Sequence, residues 1–64
     1  MVVMCEFKVF LGGNKVFEDA VYCSVKDGEL VLQDILGQSL ELHGCHISEV
    51  DVASERLVLE PNEP

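Results

Sequence analysis

Three cysteines and two histidines are the side chains whose types and spacing could do more than pack. His43-Gly44-Cys45-His46 places three soft or borderline ligands in one short run. Such donors suit nickel, copper or zinc better than calcium or magnesium. On a strand, however, alternate side chains face opposite ways. His43 and Cys45 share a side only if Gly44 does not bulge, and His46 faces away. The competing reading makes Cys45 a small core residue, because free cysteine is among the most buried types, and leaves the histidines at a strand end. Cys23, between Val21 and Val25 on an apolar face, reads as packing.

Cys5 is a different case. It follows Met4, itself a possible initiator. A chain that starts at Met4 and loses it exposes Cys5 with a free α-amine beside its thiol. Amine nitrogen, thiolate and a deprotonated backbone amide form a planar N/S set, the geometry favoured by Ni(II) and Cu(II). The alternative is one more inward residue of a first strand, and metal binding further requires surroundings that favour the thiolate. Residue chemistry alone leaves both readings open. Catalytic arrangements are absent from the pattern. Leu11-Gly12-Gly13-Asn14 lacks the spacing of a phosphate loop, and no third group orients a Cys-His pair. The expectation is a binding protein, not an enzyme.

The elements that must position these residues are strands. Val3, Cys5, Phe7, Val9 and Leu11 alternate with Met4, Glu6, Lys8 and Phe10, which predicts a strand over 2–11 with one buried face. Gly12-Gly13-Asn14 reads as a turn, Lys15 to Phe17 as short and extended, and Glu18-Asp19 as a polar break. Ala20 to Lys26 and Glu29 to Leu36 flank Asp27-Gly28, the strongest hairpin signal in the chain. Gly37-Gln38 introduces a strand over Ser39 to His43, Gly44 bends the chain, and Ile47 to Val52 and Arg56 to Glu60 form a last hairpin stopped by Pro61. No segment sustains helical periodicity. The pattern predicts one all-β domain, a small SH3-like or OB-like barrel of five or six short antiparallel strands, with residues 61–64 frayed.

Composition narrows the partners. Twelve acidic residues against four basic ones give a net charge of −8. Lys8, Lys15, Lys26 and Arg56 are scattered. Nucleic-acid affinity rests on clustered Lys and Arg, so that function is disfavoured. No apolar run reaches a membrane span, and Met1 to Met4 lacks the charged and apolar regions of a signal peptide. An odd cysteine count makes a poor disulfide framework. Together these predict a cytoplasmic protein with reduced thiols. A 64-residue chain buries only about 60% of the surface its unfolded form exposes. Its 48% hydrophobic content therefore either fills the fold or leaves apolar area for a homodimer interface.

Several short segments then fall into a familiar order: Met4-Cys5-Glu6, the Asp27-Gly28 turn, Leu30-Val31-Leu32-Gln33-Asp34-Ile35, Gly37, Gly44 with Ile47 and Val50-Asp51 at fixed offsets, and Leu57-Val58-Leu59-Glu60. As a set running from Met4 to Glu60, they resemble the CooT family, small proteins associated with nickel delivery to carbon monoxide dehydrogenase. The resemblance implies an SH3-like barrel, a homodimer, and a single Ni(II) held at the N-termini of two subunits. The family's ligand is the cysteine after the initiator Met, and this carries over to Cys5. It further implies a nickel enzyme, carbon monoxide dehydrogenase, or its maturation proteins as partner. Two departures stand out. Met1-Val2-Val3 precedes the family's start, and His43-Gly44-Cys45-His46 replaces apolar residues around the glycine, making His43, Cys45 and His46 secondary metal candidates. Two further functions compete: a β-barrel RNA-binding protein, a label some family members carry, and an adaptor that docks a basic partner through Glu49, Asp51 and Glu55.

Overall fold

The computed structural model describes residues 6–62. It is all-β, with six strands in one sheet: β1 (Phe7–Leu11), β2 (Asn14–Lys26), β3 (Glu29–Asp34), β4 (Ser39–His43), β5 (Cys45–Asp51) and β6 (Arg56–Pro61). The sheet order is β4-β3-β2-β1-β6-β5.

Tight turns build the first half. Asp27 and Gly28 both take positive φ, 52° and 78°, as a two-residue hairpin turn that follows the strands' twist requires. β2 and β3 then pair antiparallel, with Cys23 opposite Leu32 and Val25 opposite Leu30. β3 pairs in turn with β4, setting Leu30 against Leu42, Leu32 against Leu40 and Glu29 against His43. Because side chains alternate across a strand, the leucines share one face and Glu29, Glu41 and His43 share the other. The leucine face joins a core of Val9, Ala20, Leu30, Leu32, Cys45, Leu57 and Leu59, with Phe7, Leu11, Val16, Phe17, Leu40 and Leu42 packed against it.

Three expectations are corrected. The polar break at Glu18-Asp19 does not divide two strands. β2 runs through it, and Asp19 absorbs the bend at φ 59°. The strand expected to reach Leu36 ends at Asp34. There the Asp34 carboxylate accepts from the Leu36 and Gln38 amides at 2.9 and 2.8 Å, and this local capture gives the backbone an alternative to the ladder. Pro61 is still paired, opposite Cys45.

The sheet is mixed, not wholly antiparallel: β1 and β6 run parallel, Val9 beside Leu57 and Leu11 beside Leu59. Nor is it the closed barrel expected. β4 and β5 are the two ends of the strand order and no ladder joins them. Yet only Gly44 separates them in the chain. The sheet must therefore curl until its two edges meet at one residue, which also explains how Cys45 of β5 reaches the core with Leu30 and Leu32 of β3. Gly44 makes that corner at φ 74°, a conformation that L-residues reach only with strain.

At the end of β5, Asp51 accepts a hydrogen bond from the Ser54 amide at 3.2 Å. The Ser54 hydroxyl and amide hold the Asp51 carboxyl below the usual carboxylate range.

Candidate functional site

Cys5 lies outside the described residues. The nearest described element in sequence is β1, whose first residue, Phe7, lines an open apolar groove. Buried Ala20 and Leu57 line it with Phe7, together with more exposed Val21, Tyr22, Cys23, Ile47 and Val50. The groove arises from two irregularities. A register shift lies between Ala20 and Tyr22 where β2 meets β3, and another between Ile47 and Glu49 where β5 meets β6. Such bulges bend their strands, and among the described residues no further element covers the surface between them. At about 220 Å³ it is smaller than the ~300–1,000 Å³ typical of small-molecule sites. Much apolar surface stays uncovered in a single chain: Tyr22 is 52% exposed, Val50 55% and Val52 62%.

Cys23, expected to be packed, is exposed and belongs to this groove. Partial burial there pushes its thiol pKa up, and the nearness of Cys45 adds to the rise. The protonated thiol is favoured, and the thiol form is the poorer nucleophile and ligand. Cys45 is buried in the core.

The run around Gly44 is taken apart by the corner it makes. His43 ends β4 on the outer face, Cys45 points into the core, and His46 is exposed on β5, where its Nδ1 donates to Asn62 Oδ1 at 2.7 Å. His43 instead meets carboxylates. Its Nε2 lies 3.8 Å from Glu29 Oε2, and one ligand atom from each of Glu29, Glu41 and His43 comes within 4.8 Å of the others. Neither glutamate stands out in the sequence. The signal that finds them is hairpin register: counting outward from Leu36 places Glu29 opposite His43 and Val31 opposite Glu41.

The remaining charges leave little basic surface. Lys15 is paired with Glu18, and Arg56 Nη2 lies 4.0 Å from Glu49 Oε1. Glu49 and Asp51, expected on an acidic docking face, thus have partners of their own in Arg56 and Ser54. Among the described residues no helix is long and apolar enough to cross a membrane.

None of the curated proteins searched matches this chain. A family model does: that described as CO dehydrogenase accessory protein CooT, over residues 4–60. The match takes in Cys5 and residues of all six strands, so the chain belongs to the CooT family.

Proposed function

We propose that this protein binds Ni(II) as cargo and serves the maturation of carbon monoxide dehydrogenase, gripping the ion through Cys5 in a homodimer. The observation that carries this reading is the family match from Met4 onward, which takes in Cys5. Donor chemistry supports it. A thiolate beside backbone nitrogens suits Ni(II) better than the hard cations, and a net charge of −8 favours any cation near the surface. The other two thiols are poor donors, since Cys45 is buried and the Cys23 thiol is held protonated by partial burial.

The groove supplies the dimer. Phe7, Val21, Tyr22, Ile47 and Val50 form an apolar surface of the kind that marks an interaction site. A two-fold contact would set the same patch of each copy against the other. Phe7 belongs to the groove and lies two residues after Cys5 in sequence, so pairing through this face brings the two copies of Phe7 to one interface.

Titration of the purified protein with Ni(II), followed by absorption and native mass spectrometry, tests the reading. The expected result is one tightest-bound nickel shared by two chains, with a thiolate-to-nickel charge-transfer band that grows with its occupancy. Absence of the band when nickel is bound to saturation would end the assignment. The interface has its own test. Val50→Glu puts a charge where an apolar contact is proposed and leaves the monomer folded, because Val50 is 55% exposed. Loss of a central contact of at least ~2 kcal/mol corresponds to self-association roughly 30-fold weaker, measurable by sedimentation velocity. Unchanged association would place the interface elsewhere.

A further inference from the structure

We propose that Glu29, Glu41 and His43 form a second metal site, on the outer face of the β3–β4 hairpin, for a borderline first-row divalent cation of the Zn(II) or Ni(II) class. This site is independent of Cys5 and of the nickel reading above.

The backbone sets it up. Glu29 and His43 are directly opposite in the antiparallel ladder, and Glu41 precedes His43 by two residues on the same strand. All three therefore project from one face, and the register cannot slip because the same hairpin buries Leu30 and Leu32 on the other face. The spacing is that of ligands rather than of partners. At 3.8 Å, His43 Nε2 and Glu29 Oε2 are too far apart for a hydrogen bond, whose range ends near ~3.2 Å. Ligands about 2.0–2.2 Å from a tetrahedral zinc are themselves separated by roughly 3.3–3.5 Å. A triad whose ligand atoms already lie within 4.8 Å of one another is close to that spacing.

Charge acts in the same direction. Two carboxylates side by side in a protein of net charge −8 repel one another, and a divalent ion between them removes that repulsion. Lys26 stands opposite Glu29 on β2 but makes no ion pair with it, so the carboxylates are not already neutralised. One imidazole with two carboxylates selects against calcium and magnesium, which take oxygen ligands, and in favour of zinc, nickel or cobalt. Three protein ligands leave a coordination position open, and two of them, Glu41 and His43, are exposed on the edge strand β4. That is the arrangement of a site that exchanges its ion or accepts a further ligand, not of a closed structural one.

The two histidines make the test internal. In Cys5→Ser protein, where the proposed thiolate site is gone, Zn(II) alone is titrated while both imidazole rings are followed by NMR. The His43 ring is expected to shift saturably, and the His46 ring, hydrogen-bonded to Asn62, to stay in place. Glu41→Gln and His43→Ala should each weaken binding by about 100-fold or more, since disturbing even an outer partner of a ligand costs ~10–100-fold. Both residues are exposed, so the variants fold. An unshifted His43 ring, equal shifts of His43 and His46, or full affinity in Glu41→Gln would each overturn the site. None of these outcomes bears on Cys5, whose band is read separately in protein that retains it.

Discussion

Cys5→Ser is expected to abolish the thiolate-to-nickel band and to lower Ni(II) affinity by at least about 100-fold. Serine is nearly isosteric but stays protonated at neutral pH, so it cannot supply the charge that a Ni(II)–sulfur bond requires. Removing a ligand outright should exceed the ~10–100-fold that follows from disturbing an outer-shell partner. The three cysteines separate metal binding from folding. Cys23→Ser should leave both binding and stability in place, because Cys23 is exposed and its thiol pKa is raised by partial burial. Cys45→Ser should leave the band but cost about 1–3 kcal/mol of stability, since it puts a hydroxyl without a partner into the core. Absorption spectra and urea denaturation of the three variants read these effects apart. A band that survives in Cys5→Ser and vanishes in Cys23→Ser would move the site into the groove.

Leu32→Ala is expected to leave the chain largely unfolded at room temperature. Leu32 is fully buried between Cys23 and Leu40, and truncating such a leucine costs about 2–5 kcal/mol. A single core in a chain this short rarely supplies more than ~3–5 kcal/mol. Leu36→Ala, four residues on, makes the same chemical change in the β3–β4 turn, where the side chain is 80% exposed. It should alter stability by no more than about 0.5 kcal/mol. Circular dichroism and urea titration of both variants, at matched protein concentration because any self-association would add stability, give the comparison. Equal losses in the two would mean that Leu32 is not the core residue described.

Local signals in the sequence carried much of this architecture. The Asp27-Gly28 turn, the buried face of the first strand that carries Val9, and the bend at Gly44 follow from residue conformational preference and period-two alternation, both of which act over a few positions. What was not legible depends on longer range or on side-chain competition. The parallel β1–β6 ladder joins the first and last described strands, and nothing in either announces the other. Closure was expected from strand count, yet the ladder order ends at β4 and β5. β3 stops early because one carboxylate, Asp34, captures two amides. At the site, Cys23 between two valines has the pattern of a buried residue, but whether anything covers that face depends on bulges the pattern does not encode. Glu29 and Glu41 gain meaning only through register. The resemblance to the CooT family, by contrast, rested on the order of short motifs from Met4 to Glu60 and agrees with the family match over residues 4–60.

The parallel pairing of β1 with β6 sets a timetable for synthesis. β1 leaves the ribosome first of the six strands and β6 last, so the centre of the sheet cannot assemble until nearly the whole chain has emerged. Contacts this distant along the chain also slow folding. β2 can pair with β1 as soon as it emerges, but the other edge of β1 has no partner until β6 follows, and until then that edge is open to strands of other chains.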